Sequence, residues 1–210
     1  PPRSTLFPYT TLFRSVVATI EAERPDMVFA PHVETSSGMI LPDDYLRSVA
    51  DAVHGVGGVF VLDCIASGAI WVDMKVSGVD VLISAPQKGW SSSPCAGLVM
   101  LNSVALERLK STTSTSFAGD LRKWLEIMQA YEKGGHAYHA TMPTDALARF
   151  RDTMKETEAY GFSKVRGEQQ ELGDKVRALL VDKGIKSVAA EGFRSEERRV
   201  GNECRSRWSP

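Results

Sequence analysis

Two residues carry the clearest chemistry in this 210-residue chain, Asp63 and Lys88. Gly58-Val-Phe-Val-Leu-Asp63 climbs through apolar residues and stops on a carboxylate. Val79-Asp-Val-Leu-Ile-Ser-Ala-Pro-Gln-Lys88 does the same and stops on an amine. An open parallel sheet holds its reacting groups at the carboxyl ends of its strands, so both side chains are expected at one crevice. A lysine and a carboxylate in one crevice suit an aldehyde cofactor with a basic ring nitrogen. The amine condenses with the aldehyde, and the carboxylate keeps the ring nitrogen protonated. An isolated strand-end lysine is more often a solvated surface residue. The Ser84-Ala-Pro-Gln87 run before it and the pairing with Asp63 reverse that preference. No residue is assigned to a metal.

The elements that must hold these groups alternate strand and helix. Residues 16–24 read as the tail of a helix stopped by Pro25, and 27–33 as a short apolar strand. Residues 42–54 begin with Pro and two Asp, good first-turn residues, and place Leu46, Val49, Ala50 and Val53 on one face. A strand at 59–63, a short helix near 73–77, strands at 79–84 and 97–102 and a helix at 104–110 follow. The alternation indicates a doubly wound α/β sheet, at least in part. Asp73 and Asp80 read as ordinary residues that open or close a local element. Residues 111–119 form a polar loop and 121–133 a helix ended by Gly134-Gly135. After Pro143 a helical stretch runs to about residue 181, with an apolar set that includes Leu147, Phe150, Met154 and Phe162 and a bend at Gly161. Residues 187–190 are expected to begin the first strand of a second domain.

Both ends look foreign. Thr5-Leu-Phe-Pro-Tyr-Thr-Thr-Leu-Phe-Arg-Ser15 can be encoded by a nucleotide string whose reverse complement translates as Arg-Ser-Glu-Glu-Arg-Arg-Val-Gly-Lys-Glu-Cys. Residues 194–204 read the same way, with Asn202 in place of Lys. The string resembles a sequencing-library adapter read in opposite directions, so 1–15 and 194–210 are set apart as non-native flanks. Without their seven Arg and three Glu, the 25 basic and 26 acidic residues become 18 and 23, a formal charge of −5. An acidic remainder has no electrostatic footprint for nucleic acid. Cys64 and Cys95, with no framework spacing, indicate a reducing intracellular compartment. No apolar run reaches the roughly 18–20 residues of a spanning helix, so no membrane partner is expected.

Four strings then match a family in order. His32-Val-Glu-Thr-Ser-Ser-Gly38, Leu62-Asp-Cys-Ile-Ala-Ser-Gly68, Ser84-Ala-Pro-Gln-Lys-Gly89 and Tyr138-His-Ala-Thr-Met-Pro143 together resemble the class V aminotransferases, which include alanine–glyoxylate and serine–glyoxylate aminotransferases. The resemblance implies pyridoxal 5'-phosphate as cofactor. It implies residues 16–142 as part of the large domain of a fold-type I enzyme, a mostly parallel sheet with flanking helices. It implies 143–193 as a connecting helix and the start of a small domain. Lys88 matches the Schiff-base lysine and Asp63 the partner of the pyridine nitrogen. Gln87 matches the residue beside the cofactor ring, and Thr35 the hydroxyl near the ring oxygen. Tyr138 and Thr141 match residues that reach the cofactor phosphate from the neighbouring subunit, which implies a homodimer. The implied reaction moves an amino group from a small amino acid to a 2-oxo acid of the glyoxylate or pyruvate type, in the cytoplasm or a peroxisome.

The family's main phosphate cup, ring-stacking aromatic and substrate arginine are not matched by residues 16–193, so the chain by itself is expected to be poorly active. Pro86 stands where glyoxylate aminotransferases carry Ser, and Trp90-Ser-Ser-Ser-Pro-Cys-Ala-Gly97 replaces a more proline- and glycine-rich loop. A lyase or desulfurase on the same fold is the alternative reaction, although desulfurases place His where this chain has Gln87. Cys95 reads as a packing residue and not a nucleophile. An inactive fragment that binds other chains through an exposed sheet edge is the third reading. His32 and Glu34 receive no chemical role, and Ser36, Ser37 and Gly38 read as the turn of the Thr35 loop.

Overall fold

The computed structural model describes residues 9–189 and 192–193. Of the two flanks set apart above, 1–8 and 194–210 lie outside the described residues, and 9–15 continue helix α1 (Tyr9–Glu23). The sheet comprises β1 (Met27–Pro31), β4 (Val59–Asp63), β5 (Val81–Ser84) and β6 (Leu98–Leu101), in the order β1-β4-β5-β6. The first three are parallel, with Pro31 opposite Asp63 and Asp63 opposite Ile83. β6 returns antiparallel, with Ser84 opposite Leu98. The apolar stretch at 27–33 divides, because the chain leaves the sheet after Pro31 and enters a small hairpin of β2 (Val33–Glu34) and β3 (Met39–Ile40).

One sheet face is covered by α1 and α2 (Asp43–Gly55). The amphipathic pattern of α2 buries Leu46, Val49, Ala50 and Val53 against Phe60, Leu62 and Leu82, with Ile20 of α1 in the same core. Pro42 precedes α2, and Asp43 and Asp44 occupy its first turn, where carboxylates favour the positive end of the helix dipole. Asp73 caps the short helix α3 (Met74–Ser77) by accepting from the N–H groups of Lys75 and Val76. This is the local role its sequence position suggests.

Asp80 departs from that reading. It is fully buried and ties together three elements. One carboxylate oxygen accepts from the Phe60 N–H at 2.8 Å and pairs with His54 Nε2 at 2.9 Å. The other accepts from Asn102 Nδ2 at 2.7 Å. The polar atom is satisfied non-locally, which a reading along the chain does not reveal.

Beyond β6, α4 (Ser103–Lys110) and α5 (Leu121–Glu132) lead to α6 (Thr144–Tyr160) and α7 (Phe162–Asp182). The last two meet at Gly161, whose φ of +104° lies in a region that L side chains rarely adopt. The helical stretch after Pro143 is therefore two helices with a corner. Residues 187–189 form no strand, contrary to expectation: no described strand lies alongside to complete the ladder. Among the described residues no helix is long and apolar enough to cross a membrane.

Candidate active site

The carboxyl ends of β1, β4 and β5 lie side by side, and each opens into a loop that carries a residue singled out above. The β1 loop carries Thr35. Its shape is set by Glu34, whose carboxylate accepts from the Ser36 N–H at 3.2 Å, the Ser36 hydroxyl at 2.5 Å and the Ser37 N–H at 2.9 Å. These bonds, the Ser36 hydroxyl first, hold the Glu34 carboxyl down at about 2. The Gly38 N–H closes the turn on the Glu34 carbonyl at 3.0 Å with φ +67°. Thr35 is half-buried at the crest of this turn.

The β4 loop begins at Asp63, whose side chain is exposed. One of its oxygens accepts from the Ile65 N–H at 2.9 Å. Asp63 opens an Asx turn and still presents carboxylate to solvent. Behind it, His32 is buried and shares a hydrogen bond of 2.7 Å with the Ser67 hydroxyl. The His32 N–H donates to the Asp63 carbonyl at 2.8 Å. Burial pushes the His32 imidazole down to about 4; Asp43 opposes this and Arg166 reinforces it. His32 is a neutral strut between the β1 and β4 loops, in keeping with its structural reading. Burial also pushes the Cys64 thiol up to about 12, against the Ser67 hydrogen bond and with help from the Asp63 charge. A thiol so protonated is no nucleophile at neutral pH.

The β5 loop carries Gln87 and Lys88, both exposed, after the buried Ala85 and Pro86. The Ser91 N–H donates to the Lys88 carbonyl at 2.9 Å, so the lysine opens a tight turn. Gly89 packs so closely on the Gly68 peptide that a Cβ there would overlap the Gly68 carbonyl. The loop that follows Lys88 thus rests on the loop that follows Asp63. The amine and the carboxylate issue from adjacent parallel strands, at the same end, on loops in van der Waals contact.

Tyr138 and Thr141 form a separate pair. Their hydroxyls lie 3.2 Å apart, and Tyr138 is 77% exposed, among the most exposed of the large apolar side chains of the described residues. No described hydrogen bond links this pair to the Asp63 and Lys88 loops. Among the described residues, no group of His, Cys, Asp and Glu side chains could hold a metal ion.

Sequence reasoning missed a contact from α7. Gln169 Oε1 accepts from the Ala69 N–H at 2.6 Å, and its amide lies against Gly68. Trp90 lies tilted against Trp71 at 4.8 Å between ring centroids and meets Phe150 and Phe162 edge-on. Only the apolar periodicity of α6 and α7, which includes Phe150 and Phe162, hinted at a buried face there.

No protein-family model matches the chain. Among curated proteins, it is 31% identical over 163 residues to 2-aminoethylphosphonate–pyruvate transaminase of Paraburkholderia phymatum, covering 77% of this chain and 41% of that one. Its sequence is similar to that of a transaminase over part of that enzyme's length. The enzyme of the same name from Syntrophobacter fumaroxidans is 28% identical over 131 residues, or 62% of this chain and 33% of its own length. The chain thus spans about two fifths of the first of these relatives, at 41%, and less of the second. Solved structures agree on the fold. Alanine–glyoxylate aminotransferase from Nostoc sp. superposes with a TM-score of 0.73 at 22% identity, over 93% of this chain and 50% of that one. Pyridoxamine–pyruvate aminotransferase from Mesorhizobium loti gives 0.76 at 16% identity, over 88% and 46%. Both share the α/β layout described above.

Proposed function

We propose that the chain carries the cofactor-facing part of a pyridoxal-phosphate transaminase site, with Lys88 as its catalytic residue. The observation that supports this most directly is the contact of Gly89 on Gly68, which sets the Lys88 and Asp63 loops against each other at adjacent strand ends. The donor set fits the group. An exposed amine, an exposed carboxylate, the Gln87 amide and the Thr35 hydroxyl share one end of the sheet. When bound, the cofactor supplies an aldehyde carbon and an electron-accepting pyridine ring. Lys88 Nζ would hold the aldehyde carbon and later move a proton at the substrate α-carbon. The Asp63 carboxylate would hold a protonated ring nitrogen, with Gln87 and Thr35 orienting the ring. Tyr138 and Thr141 would serve the phosphate of a second copy in a homodimer, since hydroxyl donors suit phosphate oxygens.

The reaction proposed is transfer of an amino group from a small amino compound to a 2-oxo acid. An acceptor of the pyruvate or glyoxylate type agrees with the names of the relatives. Gln87 in place of His favours transamination over desulfuration. Pyridoxal phosphate added to the chain, followed by borohydride, should fix a label that peptide mapping places on Lys88. Lys88→Ala should lose that label. Equal labelling of all lysines, or full retention of transamination by Lys88→Ala, would refute the assignment. A second reading is favoured by β1, an edge strand whose Met27 and Phe29 side chains are 48% and 68% exposed. On that reading the chain joins other chains through this edge, and oligomers beyond the dimer in sedimentation velocity would support it.

A further inference from the structure

We propose that Gln169, on a helix about a hundred residues downstream, is a positioning residue for Lys88 and acts through the Asp63 loop. This rests on the reading of Lys88 as the cofactor lysine.

The connection runs through three contacts. Gln169 Oε1 accepts from the Ala69 N–H at 2.6 Å, and Ala69 is buried. A buried backbone donor is costly to leave unpaired, so this bond holds the loop after Asp63 to α7. Gly68, with φ +60°, sits directly against the Gln169 amide, where a Cβ would overlap it. Gly89, next in sequence to Lys88, then rests on the Gly68 peptide. Helix α7 therefore touches the Asp63 loop, which in turn touches the Lys88 loop.

A second grip reinforces the first. Trp90, two residues after Lys88, packs against Trp71, which follows the Asp63 loop. Phe162, the first residue of α7, meets Trp71 at 5.4 Å and Trp90 at 6.3 Å, both edge-on. The Trp71 indole N–H donates to the Phe162 carbonyl at 3.3 Å. Phe150 on α6 meets Trp90 at 5.8 Å. Edge-on aromatic contacts of this kind are directional, so they hold the corner at Gly161 in one orientation over both loops. No described hydrogen bond or cation–π contact joins either tryptophan to the amine. Together with Gln169 they decide where its backbone lies.

The test is hydrogen exchange of the whole chain, comparing wild type, Gln169→Met and Gln169→Glu. Methionine keeps the volume but lacks the acceptor, whereas glutamate keeps an acceptor. Gln169→Met should speed exchange about tenfold, the scale of one lost backbone hydrogen bond, in segments 67–71 and 87–92 together. Exchange in α2 and β4 should not change, and Gln169→Glu should behave as wild type. Unchanged exchange at 87–92 in Gln169→Met would overturn the proposal. So would acceleration spread over α2 and β4, or a Gln169→Glu protein indistinguishable from Gln169→Met. With pyridoxal phosphate and borohydride, the share of label on Lys88 should fall in Gln169→Met and recover in Gln169→Glu. A wild type that never labels Lys88 defeats the cofactor assignment, and the exchange arm still decides whether Gln169 holds the loop.

Discussion

Asp80 is fully buried and accepts hydrogen bonds from the Phe60 backbone, from Asn102 and from His54. Asp80→Asn places an amide donor where an acceptor is required, so one of these donors must face another N–H. We expect a loss of about 2–4 kcal/mol, read as a lower urea midpoint at constant slope. His32 acts through pH. Its ordinary value is 6.5 and burial holds it near 4 in the folded chain. Between those values the unfolded chain binds a proton that the folded chain refuses, so stability must fall as pH falls through this window. Above 6.5 both states are neutral, and His32 leaves stability flat with pH. The full loss is about 3 kcal/mol. His32→Asn should remove this slope in urea titrations run at successive pH values. Glu34 falls in a separate window: held near 2 against an ordinary 4.5, it contributes above 4.5 and loses that contribution toward pH 2.

At the scale of elements, the site depends on how closely two loops pack. Gly89→Ala should push the Lys88 and Asp63 loops apart, because its Cβ would overlap the Gly68 carbonyl. We expect a cost of about 1–3 kcal/mol and a drop in cofactor fixation at Lys88. Gly97→Ala, which has nothing within 4 Å of the new Cβ, should change neither and serves as the control. The same contrast explains what was legible along the chain. β4 and α2 are read from local pattern: Val59–Asp63 is an apolar run, and the buried residues of α2 recur at helical spacing. Asp63 and Lys88 stand out along the chain because apolar runs end on them, whereas Thr35 and Gln87 are singled out only by the family resemblance. The partners of Asp80, of Gln169 and of the Trp71–Trp90–Phe162 corner are not legible, since those partners lie 19 to 100 residues away and local pattern marks at most that Phe162 is apolar. The missing strand at 187–189 fails for a related reason: a strand needs a neighbour, and propensity does not supply one.

At the scale of the molecule, α5 is an amphipathic helix without a buried residue. Trp124, Met128 and Tyr131 recur along one stripe of it, and Met128 and Tyr131 are each 60% exposed. The stripe leads toward the Tyr138–Thr141 pair. His139 stacks on Phe117 at 4.1 Å and meets Trp124 at 5.1 Å, and its Nε2 bonds the Phe117 carbonyl at 2.9 Å. An exposed apolar stripe beside two paired hydroxyls suits the homodimer proposed above, in which the stripe gives affinity and the hydroxyls reach phosphate. Met128→Lys places a charge in that stripe without touching a described core residue. It should leave the unfolding midpoint within about 0.5 kcal/mol of the unmodified chain. Sedimentation equilibrium should show a shift toward monomer, and the cofactor should be retained more weakly after dialysis. Phe29→Lys, on the β1 edge, should leave both unchanged and suppress only larger oligomers. If Met128→Lys stays dimeric and Phe29→Lys does not, the edge strand is the interface and the hydroxyl pair belongs to the surface of its own chain.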